Sequence, residues 1–135
     1  MSCMMPTFTA ARLENSNLDN SAIHEADFSY ANMKNASLVY ARGRAGLPNE
    51  NECWYKWFLP VSFRYTDLSG ADLTGANLKG ADFTEANLTG ANFSSANLQD
   101  ANFSDASLKK ADFSGANLTG ANLNGAITDG AVFDG

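Results

Sequence analysis

Few side chains in this sequence have the type and spacing that covalent chemistry requires. His24 is the single histidine. It stands in Ser-Ala-Ile-His-Glu with no nucleophile or ligand at catalytic spacing, so it reads as a surface residue. Cys3 and Cys53 are too few for a disulfide framework. In a reducing compartment they are free thiols, and in an oxidising one a Cys3–Cys53 bridge stays open. Serine and threonine are abundant, yet no G-x-S-x-G nucleophile elbow occurs. The glycines recur at single fixed offsets and not as a phosphate-cradling loop. These observations assign no catalytic residue, no metal ligand and no cofactor. What remains is recognition chemistry. Residues 41–60 read ARGRAGLPNENECWYKWFLP and gather Arg42, Arg44, Trp54, Tyr55, Trp57 and Phe58, and Trp, Tyr and Arg dominate interface hot spots. A second candidate surface is acidic, with Asp82, Glu85 and Asp105 on one side.

The elements that carry these residues follow from composition and period. The chain has 135 residues, 44% hydrophobic and 18% charged, with three prolines; this suggests one ordered domain and excludes a collagen-like chain. Nine basic against fifteen acidic side chains give a net charge of −6. That balance offers no footprint for a phosphate backbone, so no direct nucleic-acid partner is expected. The excess is uneven. Residues 1–65 carry six basic and six acidic side chains, whereas residues 66–135 carry three and nine. Such asymmetry marks either a partner surface or a solubility device. No apolar run approaches the roughly 18 residues of a membrane helix. The start, MSCMMP, lacks the basic and apolar regions of a secretory signal, so a cytoplasmic location is expected.

The period is five. From Thr66 the chain reads TDLSG ADLTG ANLKG ADFTE ANLTG ANFSS ANLQD ANFSD ASLKK ADFSG ANLTG ANLNG AITDG AVFDG. A large apolar residue occupies every third position of the pentad. A small residue, mostly Ala, stands two places before it. The same frame covers 6–40 and resumes at 61–65, and all nine phenylalanines fall on its central phase. Five fits neither a helix nor a plain strand. Within each pentad the first and third residues point one way, as in an extended segment. The second, usually Asn or Asp, points outward as a hydrogen-bonding corner element. The fourth and fifth are turn formers, and glycine at the fifth supplies backbone freedom.

These A-(D/N)-L-x-x pentads, 22 of them over 6–40 and 61–135, resemble the pentapeptide-repeat family. The resemblance implies an all-β fold, a right-handed quadrilateral β-helix with four pentads per coil. The residues support four sides independently: Phe at 83, 93, 103 and 113 alternates with Leu at 78, 88, 98 and 108. That alternation stacks Phe63/Phe83/Phe103 on one side, Phe93/Phe113/Phe133 on the opposite side and Leu78/Leu98/Leu118 on a third. About five and a half coils at roughly 4.8 Å each make a rod about 26 Å tall.

The domain reading is an N-terminal tail at 1–5 and one solenoid over 6–135, interrupted by an insertion at 41–60. The insertion leaves one corner after Tyr40 and returns at Val61, so that the flanking pentads become consecutive sides of one coil. Pro48 and the acidic residues after it, with a stop at Pro60, indicate a short helix within it. Its aromatic face either packs on the solenoid near Tyr40 and Tyr65 or forms a partner-binding protrusion. At the C-terminus Thr128 takes a central position and Ile127 an outward one. A bare coil edge invites pairing, so a two-fold homodimer through the last coil is expected.

Function is read as a non-enzymatic protein–protein interaction scaffold whose partner protein is unidentified, with no membrane role. The alternative, suggested by the resemblance, is a DNA mimic that modulates a type II topoisomerase (gyrase), with Asp82, Glu85 and Asp105 imitating phosphates. The neutral Asn at most outward positions weighs against it, since duplex DNA carries one charge per roughly 1.7 Å. A third reading is a flat crystal-binding face of Thr74, Ser94 and Ser114; that ladder is short and not mainly threonine.

Overall fold

In the computed structural model, residues 7–23, 26–43 and 61–133 are described. All their bridges are parallel and join the second residues of pentads. On the first wall they run Thr7, Asp27, Ser62, Asp82, Asn102, Asn122. The second wall runs from Arg12 through Asn32, Asp67, Asn87 and Ser107 to Ile127. The third passes from Asn17 through Asp72 and Asp112 to Val132, and the fourth from Ala22 through Arg42 and Asn77 to Asn117. Partners are 20 positions apart within the regular stretch, so four pentads complete one turn.

The pentad motif is explained by its backbone donors. Between Asp82 and Ala86 every N–H has a partner. Phe83 N–H donates to the Asn102 carbonyl at 2.7 Å and Glu85 N–H to that of Ser104 at 2.9 Å, both one layer onward. Asp82 N–H donates back to Val61 at 3.0 Å, and Ala86 N–H closes the corner on the Phe83 carbonyl at 3.0 Å. The fifth donor, Thr84 N–H, is taken by the Asp82 carboxylate at 2.9 Å. Buried or half-buried backbone donors must be paired, and the outward Asn or Asp supplies the one acceptor that neighbouring layers do not. The same Asx bond recurs at Asp72 with Thr74, Asn92 with Ser94, Asn102 with Ser104 and Asp112 with Ser114.

The corners are more demanding than the glycine pattern suggests. Among the described residues twelve non-glycine residues share positive φ with eight glycines, and all twenty stand at the fifth position of a pentad. The closing bond and this sign are the pattern of a type II turn. Gly75 shows why glycine is favoured there. It combines φ of +67° with the Tyr40 ring lying where its Cβ would go.

Side chains at the third positions fill the interior. The rings of Phe8, Phe28, Phe63, Phe83 and Phe103 stack along the first wall with centroids 4.9–5.2 Å apart. Phe93, Phe113 and Phe133 do the same on the third wall, 5.0–5.1 Å apart. Within the layers the two stacks meet edge to face, as Phe83 and Phe93 do at 5.6 Å and 87°. This matches the stacks expected from the alternation. Alanine at the first position is buried through most layers, which lets adjacent walls approach. Thr66 replaces Ala there because its hydroxyl donates to the Phe28 carbonyl at 2.8 Å.

The break in the pattern begins later than the sequence indicates. Ala41–Gly43 are not part of an excursion. Arg42 bridges Ala22 and Asn77, so the pentad after Tyr40 still forms the fourth wall, and Val61 opens the first wall of the next layer. The flanking pentads are therefore not consecutive sides of one coil. Bridges that cross the break join residues 35 apart rather than 20, which places fifteen residues beyond the repeat. Gly43 hid this continuity because it stands where a large apolar residue is expected. A Cβ at Gly43 would lie 2.9 Å from Ile23 Cγ1 and 3.2 Å from both Leu78 and Val61. Those neighbours fill the space, so a large side chain is excluded. The remainder of the expected insertion, including its helix, lies outside the described residues, as do residues 1–5.

Among the described residues, no helix is long and apolar enough to cross a membrane.

Candidate interaction surface

Each wall carries outward second residues whose side chains are committed to the fold. Asp82 accepts from Thr84 N–H and also from the Thr84 hydroxyl at 2.5 Å. Its other oxygen is 3.7 Å from Arg64 Nε. Asp112 likewise holds Ser114 through its hydroxyl at 2.6 Å and its N–H at 2.9 Å. These bonds keep the Asp112 carboxyl below the ordinary carboxylate range, the hydroxyl of Ser114 being the larger cause. A carboxylate held this way is aimed along its own wall.

The fifth positions are different. They project from the corners, and the interlayer bonds already use their backbone. The corner between the first and second walls carries Ala10, Tyr30, Tyr65, Glu85, Asp105 and Gly125 in successive layers. Tyr30 and Tyr65 stack at 4.9 Å and 6°, yet stay 62% and 41% exposed. Both hold positive φ, 63° and 58°, a region that bulky side chains rarely enter. The Arg64 guanidinium lies 5.8 Å from the Tyr65 ring centroid, in cation–π contact. The Glu85 carboxylate accepts from the Tyr65 hydroxyl and, with its charge, pushes that phenol above its ordinary pKa. Asp105 extends toward Gly125, over the place where a Cβ would stand.

Of the residues expected to form a site, the structure brings Asp82, Glu85 and Asp105 to adjoining positions on this edge. Asp82 is on the wall, and Glu85 and Asp105 follow one another at the corner. Arg42 is on the fourth wall, 3.5 Å from the Asn20 carbonyl through Nη2. Arg44, Trp54, Tyr55, Trp57 and Phe58 lie outside the described residues, as do His24, Cys3 and Cys53. Sequence reasoning missed the stacking of Tyr30 on Tyr65 and the contact of Tyr65 with Arg64. The available signal was phase: three tyrosines, at 30, 40 and 65, occupy the fifth position, where glycine and asparagine are favoured. Thr74, Ser94 and Ser114 do share a column on the third wall, but their hydroxyls donate to Asp72, Asn92 and Asp112. Among the described residues no group of three or more His, Cys, Asp or Glu could hold a metal ion.

A model of pentapeptide repeats, in eight copies, matches residues 7–39, 61–90, 86–125 and 96–135. The chain belongs to the pentapeptide-repeat family. Solved pentapeptide-repeat structures agree. HetL from Nostoc sp. strain PCC 7120, involved in heterocyst differentiation regulation, is 30% identical with a TM-score of 0.50, over 98% of this chain and 62% of its own. A pentapeptide-repeat protein of the Arabidopsis thaliana thylakoid lumen is 27% identical with a TM-score of 0.56, over 84% and 62%. Trypsin-treated QnrB1, a plasmid-mediated fluoroquinolone resistance protein, is 21% identical with a TM-score of 0.67, over 93% and 58%. The chain thus spans about three fifths of the length of each. No curated protein matches by sequence. The pentapeptide-repeat β-helix described above is the shared feature.

Proposed function

We propose that this pentapeptide-repeat chain is a non-enzymatic scaffold for protein–protein interaction, a right-handed rod that offers flat walls and projecting corners to a partner protein. One observation carries this reading. Tyrosines are held at strained corner positions with their rings largely exposed. A non-glycine residue in the left-handed region costs roughly 1–2 kcal/mol, and an exposed ring returns little of that through burial. The interlayer bonds impose this conformation at every described corner, so what points to function is the use of a bulky exposed ring where glycine or asparagine would be less strained. The insertion expected at 41–60, with Arg44, Trp54, Tyr55, Trp57 and Phe58, is a further candidate contact of the same scaffold.

The DNA-mimic reading finds less support. Phosphate mimicry needs carboxylates free to meet a basic groove. Asp82 is tied to Thr84 and Arg64, and only Glu85 and Asp105 of the three candidates project from a corner. The likeness to QnrB1, at 21% identity, carries the fold and no function. Pairing of two copies through the last layer belongs to the same proposal: Ile127, Val132 and Phe133 there are 47%, 42% and 43% exposed. Light scattering that finds only monomer at high protein concentration would remove it.

The scaffold reading is tested by affinity capture with purified protein as bait, comparing wild type with folded variants at the corners and in 44–60. A stoichiometric protein partner that one variant loses supports the reading. Equal recovery by every variant, or no stoichiometric partner, counts against it.

A further inference from the structure

We propose that the corner column Tyr30–Tyr65–Glu85–Asp105 is a docking strip for an extended, arginine-bearing segment of a partner protein. The proposal rests on the scaffold reading and names the partner's chemistry.

The strip already shows the contacts such a segment would make. Arg64 sets its guanidinium 5.8 Å from the Tyr65 ring centroid and its Nε 3.7 Å from the Asp82 carboxylate. A flat guanidinium does both jobs because it is planar, weakly hydrated and forked. Beyond Arg64, the same edge keeps acceptors and an aromatic surface for more. In the layer before Tyr30 the corner residue is Ala10, whose methyl group leaves the outward face of the Tyr30 ring uncovered by the column. Among the described residues Glu85 has the Tyr65 hydroxyl as its side-chain partner, and Asp105 reaches over Gly125. Asp27 and Asp82 are bound into their own turns, so the carboxylates the edge projects are Glu85 and Asp105. The carboxylates of the third wall offer no equivalent, because Asp72 and Asp112 are bound into their own turns, and in the corner column beside them Tyr40 is followed by Gly75, Ser95 and Gly115 and by no carboxylate.

Spacing selects an extended segment. Four successive layers from Tyr30 to Asp105 span about 14 Å at roughly 4.8 Å per layer. Alternate residues of an extended chain are roughly 6.8 Å apart, so three same-facing side chains cover that length. The interval from Tyr30 to Glu85 is two layers, about 9.6 Å, and from Glu85 to Asp105 one, about 4.8 Å; the long, flexible arginine stems take up the difference, one guanidinium resting on the Tyr30 ring and two reaching Glu85 and Asp105. The pattern sought in a partner is thus Arg-x-Arg-x-Arg.

The test uses the full chain and a blocked peptide, Gly-Arg-Gly-Arg-Gly-Arg-Gly, followed by calorimetry and by amide chemical shifts. Wild type should bind, with shifts centred on Tyr30, Tyr65, Glu85 and Asp105. Tyr30→Asn with Tyr65→Asn should weaken binding by roughly tenfold, the scale of a lost cation–π contact with its packing. Asn is tolerated at positive φ, so this variant keeps the fold, which circular dichroism checks. Glu85→Gln with Asp105→Asn should weaken binding comparably. Tyr40→Asn, at a different corner, and Asp72→Asn with Asp112→Asn, on the third wall, should leave it unchanged. No binding by wild type overturns the proposal. So does an equal loss in the third-wall variant, unchanged affinity in the double tyrosine variant, or equal affinity for the peptide with Glu in place of Arg. If the peptide fails while captured protein is lost from variants elsewhere, the scaffold reading stands and this strip does not.

Discussion

Truncating Phe83 should be far more costly than truncating Phe133, although both rings sit at the same position of the pentad. Phe83 is fully buried. Its ring is stacked between Phe63 at 5.0 Å and Phe103 at 4.9 Å, and it meets Phe93 edge-on at 5.6 Å. Layers on both sides fix those neighbours, so they cannot close over the space that alanine leaves. A Phe→Ala change in such a place costs roughly 3–5 kcal/mol. Phe133 is 43% exposed and stacks on one ring, Phe113, at 5.1 Å. Only about half of its transfer free energy is at stake and no closed cavity forms, so its loss costs about 1 kcal/mol. In urea, with a slope of about 2 kcal/mol/M, the midpoint should fall by about 1.5–2.5 M for Phe83→Ala and about 0.5 M for Phe133→Ala. Phe83→Leu should cost much less than Phe83→Ala, since Leu123 takes the same position on the same wall two layers on. Equal midpoints for the two alanine variants would refute the argument that interlayer stacking, and not residue type, sets the energy.

Other consequences are checked by the same denaturation assay. Asn92→Ala removes the acceptor for Ser94 N–H at 2.9 Å and for the Ser94 hydroxyl; two bonds at about 0.5–1.5 kcal/mol each predict a loss of about 1–3 kcal/mol, whereas Asn92→Asp should be nearly neutral. Gly120→Ala should cost more than Gly90→Ala: both have positive φ, but a Cβ on Gly120 meets the Asp100 carboxylate, while one on Gly90 finds only the Gly70 nitrogen at 4.0 Å. Asp112 makes stability pH-dependent. Its folded pKa lies below the unfolded one, so its contribution is present above the unfolded value, about 3.9, and is lost as pH falls through the lower folded value. Asp112→Asn keeps the acceptor and removes the titration, so the acid limb of a stability–pH profile should become shallower.

The interior was legible in the sequence because two periods reinforce each other. A five-residue repeat sets which side chain points inward, and a ten-residue alternation of Phe and Leu sets how layers register. The Phe63/Phe83/Phe103 and Phe93/Phe113/Phe133 stacks follow from that arithmetic and are present. Gly43 was not legible. Reading by residue type treats a central glycine as the end of the repeat, whereas Ile23, Leu78 and Val61 occupy the space it leaves. The corners were half legible. Glycine at Gly70, Gly75 and Gly90 announces positive φ, but Tyr30, Tyr65 and Glu85 adopt the same conformation without announcing it. Cooperative bonding between layers imposes the turn whatever the residue, so local preference there is overridden rather than expressed. The edge uniting Tyr30, Tyr65 and Arg64 was hidden for a simpler reason: Tyr30 and Tyr65 are 35 positions apart and meet only because fifteen residues beyond the repeat lie between their layers.

The division of labour within a pentad then decides where recognition can reside. First and third residues are consumed by packing. Where the second residue is Asn or Asp, the Asx bond that satisfies the one donor left over by the interlayer ladder consumes it, as at Asp67, Asp72, Asn92 and Asn102. A wall rich in Asp is therefore less available to a partner than its composition implies, as Asp72, Asp82 and Asp112 show. Fourth residues are partly drawn in, since Thr74, Thr84, Ser94 and Ser114 bond to those same carboxylates and amides. The fifth residue alone contributes to the ladder through its backbone while its side chain projects from the edge. Its identity can change from Gly to Tyr or Glu at the expense of turn strain without altering the core. Net charge summed over the chain is thus a poor guide to what this rod binds. The better guide is the identity of the corner columns, and only one of the described columns sets two stacked aromatic rings beside two successive carboxylates.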